Sequence, residues 1–389
     1  MSGPDESHLV AVVLPPPETA GTVRHVWDRG GAVVILDPAH PRLADLIAAA
    51  DPTHVIDGTG RYPRPEGRSV DPSVGAVVAT SGTTGEPRFV ELTTAGLIAS
   101  ALAVHHALGV DPNQDRWLAC LPLTAVAGLA IVARAHTTGT PLTVHPRFDL
   151  KAVAAASTEC SLVSLVPTTL ARLLDTDANA VAGFRRVLLG GAPIPAALRV
   201  RATAAGVQLV TTYGLTETGG GCVHDGHELK GVEIDFAPGS SEVLVRGPVV
   251  MRGYRDGTEH PEDTWHNGWL RTGDVGRREE HGRIEIVDRL KDLIITGGVN
   301  VSPTAIESAC AAAPGVAEIA IVGEPDPEWG ERVVACIVPT DATDPPSLAD
   351  VRSAGAAAGL RAADLPRALR LVASIPRTPS GKVLRRLLR

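Results

Sequence analysis

Two short segments carry the residue types that phosphate chemistry needs. In Ala79-Thr80-Ser81-Gly82-Thr83-Thr84-Gly85-Glu86-Pro87-Arg88, four hydroxyl side chains stand among two glycines. Glycine lets backbone approach a ligand closely, and converging hydroxyl and amide donors suit the anionic oxygens of a polyphosphate. Arg88 adds a positive charge. The spacing is not that of a G-x-x-x-x-G-K-[ST] loop, and a plain Ser/Thr/Gly turn is the alternative reading. The second segment, Thr211-Thr212-Tyr213-Gly214-Leu215-Thr216-Glu217-Thr218, holds an aromatic ring, four threonine hydroxyls and a carboxylate within a few residues. A ring stacks on a purine, and a carboxylate beside a phosphate site is a natural Mg²⁺ ligand. The structural readings are a core ring for Tyr213 and a solvated loop charge for Glu217.

Other constellations say less by themselves. Lys382 follows Pro379-Ser380-Gly381 and is surrounded by Arg377, Arg385, Arg386 and Arg389, which alone reads as a solvated basic tail. His224 and His227 form an H-x-x-H pair around Asp225, but no third or fourth ligand is signalled, and a loop is the expectation. His105-His106 falls on a helical stretch and suggests no site.

Placing these residues requires a scaffold. Leu9–Leu14, Ala32–Leu36 and His54–Ile56 read as buried strands, with helices at Thr22–Asp28 and Pro41–Ala49 between them. The alternation continues with a strand at Gly75–Ala79, a helix at Thr94–Leu108, and strands near Arg116–Leu121, Val187–Leu189 and Val207–Val210. It predicts a parallel sheet flanked by helices. From about Ser241 to Arg289 the texture turns antiparallel, with strands at Val243–Arg246 and Arg283–Asp288. After Lys291 a compact α+β unit is expected, with strands at Asp292–Thr296, Val316–Val322 and Val333–Pro339 and helices at Pro303–Ala313 and Ser347–Leu360. The predicted fold is α/β. A large N-terminal domain of flanked β-sheets with a β-barrel-like part spans residues 1–290, and a small mobile α+β domain spans 291–389.

Bulk properties narrow the function class. The 389 residues are 44% hydrophobic and 21% charged, the range of a globular enzyme rather than a disordered chain. A net charge of −8 argues against a nucleic-acid partner. Five cysteines lack any C-x-x-C pair, which points to reduced thiols in a cytoplasmic protein. The N-terminal stretch has no basic n-region or long apolar core, and no run reaches membrane-span length.

Five segments in order, TSGTTGEPRFVEL, TTYGLTETG, WLRTGDVGR, GRIEIVDRLKDLIITGGVNVSP and PRTPSGKVLRR, resemble the core motifs of the adenylate-forming superfamily. That superfamily comprises acyl-CoA synthetases, peptide-synthetase adenylation domains and luciferases. The resemblance implies that Thr80, Ser81, Gly82, Thr83, Thr84, Gly85 and Arg88 grip ATP phosphates. It places Gly190, Gly191 and Ala192 along adenine and the acyl pocket, and Thr212, Tyr213 and Gly214 at the adenine. Thr216 would contact the α-phosphate and Glu217 would hold Mg²⁺. Asp274 would bind the ribose, since one carboxylate holds two adjacent hydroxyls well, with Arg289 nearby. Lys382 would bridge the attacking carboxylate and the α-phosphate, where anionic groups repel as charge develops. Lys291 would be the hinge on which the small domain swings, presenting Gly297 and Gly298 to the thiol of coenzyme A. Ligands implied are ATP, Mg²⁺ and a small-molecule acid.

The short chain, with Ser164-to-Leu174 and Thr218-to-Gly226, is similar to compact actinobacterial o-succinylbenzoate–CoA ligases of menaquinone synthesis. With 389 residues, the resemblance implies an N-terminal domain truncated relative to typical acyl-CoA synthetases. The acyl pocket implied is Thr124, Ala125, Arg134, Ser164, Gly190, Gly219 and Gly220. Arg134 could pair with a second substrate carboxylate; a solvated or internally paired arginine is the plain alternative. Thr124-Ala125 departs from the histidines usual in relatives, and Arg88 from the usual lysine. The alternatives left open are a specialised-metabolism enzyme for another aryl or small acid, even nitrous acid, an enzyme loading a carrier protein, and an ATP-binding regulator that has lost its chemistry. Retention of Glu217, Asp274 and Lys382 argues for catalysis.

Overall fold

The computed structural model describes residues 7–80, 88–256, 264–377 and 383–389. By packing, the chain forms two units, Met1–Ile234 with Leu244–Arg271, and Asp235–Val243 with Thr272–Arg389.

The first unit opens with strands β1 (Leu9–Val13), β2 (Ala32–Ile35), β3 (His54–Asp57), β4 (Gly60–Pro63), β5 (Val74–Ala79) and β6 (Phe89–Thr93). Helices α1 (Pro16–Asp28), α2 (Leu43–Ala50) and α3 (Thr94–Leu108) accompany them. β1 pairs in parallel with β2 and β3, and β2 with β5. All five residues of β1, LVAVV, are buried, as expected of a strand covered on both faces. β6 turns back antiparallel on β5. Helix α1 begins at Pro16 rather than Thr22, because proline is tolerated in the first helical turn, where its missing N–H costs nothing.

A second sheet supplies most of the candidate site. Its strands are β7 (Trp117–Ala119), β8 (Leu142–Val144), β9 (Leu162–Leu165), β10 (Arg186–Leu189), β11 (Leu209–Leu215), β12 (Gly220–His224) and β13 (His227–Glu228). Helices α4 (Val126–Thr138), α5 (Leu150–Ala156), α6 (Pro167–Ala182) and α7 (Ala196–Ala204) connect them. The order is β13-β12-β11-β10-β9-β7-β8, parallel from β11 to β8 and antiparallel at β12 and β13. Its core is mostly aliphatic, built on Val163, Leu165, Leu170, Leu173, Val187 and Leu189 with the buried Phe184 ring among them.

The remaining strands are β14 (Glu233–Phe236), β15 (Glu242–Arg246), β16 (Gly253–Tyr254), β17 (Trp265–His266), β18 (Trp269–Arg278) and β19 (Ile284–Arg289). β16 completes the first sheet by pairing antiparallel with β6. In the second unit, the end of β18 pairs antiparallel with β19, Asp274 opposite Arg289. Strands β20 (Ile294–Thr296), β21 (Val299–Val301), β22 (Val316–Asp326), β23 (Gly330–Pro339) and β24 (Ala368–Leu371) form one sheet. Helices α8 (Pro303–Cys310) and α9 (Leu348–Ala357) pack on it through Ile306, Cys310 and Val351. Among the described residues, no helix is long and apolar enough to cross a membrane. The mixed α/β architecture, sheet-rich at first and with a small α+β part at the end, is the one the sequence predicts.

Candidate active site

The sequence-predicted phosphate loop is bracketed by the β5–β6 hairpin. Thr80 and Arg88 hold its two ends together, Thr80 N and Oγ1 both donating to Arg88 O at 2.7 and 3.2 Å. Ser81, Gly82, Thr83, Thr84 and Gly85 lie outside the described residues, as does Lys382.

Arg88 leads to the carboxylate. Its guanidinium stacks 3.6 Å above the Tyr254 ring and pairs with Asp256 at 3.2 Å. The Tyr254 hydroxyl donates to Glu217 Oε1 at 3.1 Å. Burial, then the neighbouring Glu217 charge, raise the Tyr254 pKa, so the hydroxyl keeps the proton it donates. Glu217 itself sits on a 3₁₀ turn, Thr216–Thr218, directly after β11. Thr218 Oγ1 staples that turn, donating to Gly220 O at 2.8 Å and accepting from Leu215 N at 2.9 Å, while Met251 N donates to Glu217 O at 2.7 Å. Residues 37 positions apart in the chain thus fix one carboxylate. Tyr254 was not among the sequence candidates; nothing local marks it, since its role comes from β16 pairing with β6.

β11 is longer than the sequence suggests, running through Thr212, Tyr213 and Gly214 instead of ending at Val210. The segment after Gly219 is also a strand, not a loop, and His224 pairs with His227 across the β12–β13 hairpin. His224 is buried and His227 exposed, and among the described residues no group of three or more His, Cys, Asp or Glu side chains could hold a metal. The glycines of this region permit close strand approach. A Cβ on Gly214 would overlap Gly220 O, and one on Gly190 would come within 2.5 Å of Thr212 O. Gly191, at φ +80, and half-buried Ala192 follow β10, and buried Ser164 lies in β9. Thr80, Gly190 and Thr216 therefore all follow the carboxyl ends of strands running parallel in their sheets, where ligand sites of α/β sheets collect.

Ala125 is the N-cap of α4, with half-buried Thr124 before it. Arg134 lies on the buried face of α4, only 4% exposed. Its guanidinium is 5.4 Å from the Trp117 ring centroid, and burial pulls its pKa down to about 10. The solvated reading of Arg134 is therefore wrong, and among the described residues no carboxylate forms an ion pair with it. His105 is not idle either: it is buried and accepts the Trp117 indole N–H at 3.0 Å.

In the second unit, Asp274 and Arg289 are cross-strand partners joined at 2.7 Å. Asp274 is held by Thr272, whose Oγ1 accepts Asp274 N at 3.1 Å and donates to Val243 O at 2.8 Å. Lys291 stands in the 3₁₀ turn Leu290–Asp292 immediately after β19. Gly297 and Gly298, with φ of +57 and +75, form the two-residue turn between β20 and β21, a geometry that glycine adopts without strain.

Residues 7–255 match the AMP-binding enzyme family and residues 305–382 its C-terminal domain. A probable 2-succinylbenzoate–CoA ligase of Mycobacterium tuberculosis is 36% identical over 368 residues, covering 91% of this chain and 94% of that protein. The 2-succinylbenzoate–CoA ligase of Listeria monocytogenes is 32% identical, over 81% of this chain and 69% of its own. Among solved structures, o-succinylbenzoate CoA synthetase of Bacillus subtilis in complex with its acyl-adenylate intermediate superimposes with a TM-score of 0.85. The two are 27% identical, over 99% of this chain and 88% of that one. The same enzyme bound to ATP and magnesium gives 0.84 at 27% identity, over 98% and 89%. Both halves of the chain and the motifs that frame Glu217 agree on one assignment: this protein belongs to the AMP-binding enzyme family, within the adenylate-forming superfamily.

Proposed function

We propose that the protein is an AMP-forming acid–thiol ligase that converts 2-succinylbenzoate to its coenzyme A thioester through an acyl-adenylate, as in menaquinone biosynthesis. In the first step a substrate carboxylate attacks the ATP α-phosphate and pyrophosphate leaves. In the second the coenzyme A thiol attacks the acyl carbon and AMP leaves. The observation that carries this reading is sequence identity sustained over 94% of the length of the M. tuberculosis ligase.

The residue roles follow from matching motifs and suit the geometry. Thr80 to Arg88 would hold the phosphates, and Tyr213, with Thr212, Gly214, Gly191 and Ala192, the adenine. Thr216 would meet the α-phosphate. Mg²⁺ would supply charge neutralisation on the phosphate oxygens, and Glu217, oriented by Tyr254, is the carboxylate to hold it. A Mg²⁺ site of one carboxylate plus nucleotide oxygens needs no protein cage. Asp274, preset by Thr272 and Arg289, would take the ribose hydroxyls. Lys382 would neutralise the reacting oxygens during adenylation. Lys291, in its turn after β19, would serve as hinge for a mobile domain of residues 291–389, with Gly297 and Gly298 admitting the thiol. Arg134 would meet a second carboxylate in an acyl pocket shared with Thr124, Ala125, Ser164, Gly190, Gly219 and Gly220. Its buried, uncompensated charge supports an acidic substrate. A cytoplasmic location accords with five buried free cysteines.

Thr124-Ala125 favours one second reading, in which the acid or the acceptor differs and a carrier protein replaces coenzyme A. Pyrophosphate release over a panel of acids, with 2-succinylbenzoate, other aryl acids and nitrite included, tests both. Release with 2-succinylbenzoate at least tenfold above every other acid is expected. Preference for another acid moves the protein to the second reading, and release with none overturns the ligase assignment.

A further inference from the structure

Two consecutive backbone amides of β18 bond to side chains at the place where a strand ladder would hold them. β18 lies beside β15 and the contacts run antiparallel, Thr272 meeting Val243 and Gly276 N donating to Ser241 O at 3.0 Å. Every second amide of such a ladder faces the same neighbour, so the donor next to Gly276 N is Asp274 N and its ladder acceptor is Val243 O. That bond is not made directly. The Thr272 hydroxyl is interposed, accepting Asp274 N at 3.1 Å and donating to Val243 O at 2.8 Å. One residue earlier, Gly273 adopts φ +68, outside strand geometry, and its N–H goes to Glu242 Oε1 at 3.0 Å. A Cβ on Gly273 would meet nothing within 4 Å, so glycine serves here for its conformation and not for space.

Glu242 is buried and is set by the loop before it. Ser241 N donates to Ala237 O at 3.0 Å, Ala237 N donates to Glu242 O at 2.8 Å, and Ser241 stands at φ +54, a region that favours glycine. Burying a carboxylate is costly, and a main-chain carbonyl would satisfy one amide as well. A carboxylate in that place therefore marks a conformation that the ladder cannot make. A left-handed glycine inside a strand bends it and re-aims the side chain beside it. The residue that follows Gly273 is Asp274, buried and paired through Oδ1 with Arg289 Nε at 2.7 Å. All of these residues belong to the second unit.

We propose that Glu242 is a positioning residue for adenylation: by accepting Gly273 N it holds the left-handed turn in β18 that aims the Asp274 carboxylate at the ribose hydroxyls of ATP. This rests on the reading of Asp274 as the ribose ligand and deepens it, making discrimination by sugar depend on Glu242 as well. Arg289 fixes the carboxylate of Asp274, Thr272 its amide, and Glu242 the turn before it.

The test compares kcat/KM for ATP with that for 2′,3′-dideoxy-ATP, read as pyrophosphate release with 2-succinylbenzoate. Wild type should favour ATP by roughly 100-fold or more. That preference should fall at least tenfold in Glu242→Leu and recover in Glu242→Gln, which keeps an acceptor oxygen. Glu242→Asp keeps the charge but draws the oxygen back from Gly273, so it should behave like Glu242→Leu and decides the matter if the leucine variant does not fold. Equal losses on both nucleotides, no recovery in Glu242→Gln, or an unchanged preference in Glu242→Asp overturn the proposal. If wild type uses both nucleotides alike, or neither, the ribose reading or the ligase reading fails instead, and amide hydrogen exchange decides the part of Glu242. The Gly273 amide should then exchange at least tenfold faster in Glu242→Asp than in wild type, and equal exchange overturns the role.

Discussion

Replacing Arg134 by methionine should make the protein more stable and the enzyme much worse. Burial moves the Arg134 pKa from 12.5 to about 10, which corresponds to a cost of about 3 kcal/mol for keeping the charge inside the folded chain. Methionine removes that cost and keeps most of the apolar stem's packing. The main loss is the contact of the guanidinium with the Trp117 ring at 5.4 Å, worth about 1 kcal/mol. The net is a gain of about 2 kcal/mol, or roughly 4–8 °C in melting temperature for a unit of this size. The same substitution leaves the substrate's second carboxylate facing an apolar surface, a penalty of about 2–5 kcal/mol, so kcat/KM for 2-succinylbenzoate should fall by roughly 100-fold. Differential scanning fluorimetry and pyrophosphate release measure the two effects on one preparation. A melting temperature lowered by the substitution, with kcat/KM within a factor of three of wild type, would show that Arg134 serves structure and would refute the reasoning.

Tyr254→Phe keeps the ring under Arg88 and removes the hydroxyl's bonds to Glu217 and Thr264, so kcat/KM for Mg-ATP should drop roughly tenfold, given about 1.5–3 kcal/mol for a hydrogen bond to a charged group. An unaltered Mg²⁺ dependence would refute that link. Lys382→Ala should lower acyl-adenylate formation by roughly 100–1,000-fold while leaving thioester formation from supplied acyl-adenylate largely intact; equal losses in both half-reactions would sink the role. His105 and His224 are both pushed down to about 4, by burial first and Arg134 second. The unfolded chain takes up these protons as pH falls through about 6.5, and the folded chain resists until about 4. Stability is therefore full above pH 6.5 and falls between 6.5 and 4, by roughly 2–4 kcal/mol from pH 7 to 5. Denaturant melts at the two pH values check this, and equal midpoints would contradict it.

The sequence disclosed what depends on local pattern. Buried apolar runs such as Leu9–Val13 marked the parallel strands, and ordered motifs located Glu217, Asp274 and Lys291. Features built by pairing of distant segments stayed hidden. The stretch around His224 and His227 reads as a loop, yet it belongs to the β12–β13 hairpin, and Gly220 and Gly221 let β12 pass closely over Thr212 and Gly214 of β11. Tyr254 meets Glu217 because β16 pairs with β6, which no spacing reveals. Sequence alone leaves Arg134 open between an acyl-pocket cation and a solvated or internally paired charge; its burial follows from α4 packing between other elements, a tertiary effect that outweighs residue type.

The most direct test is mass spectrometry of the purified protein given Mg-ATP and 2-succinylbenzoate, first without and then with coenzyme A. Succinylbenzoyl-AMP and pyrophosphate should appear in the first stage, and coenzyme A should convert the adenylate to the thioester with release of AMP. ADP in place of AMP, or no adenylate from this acid, would contradict the account.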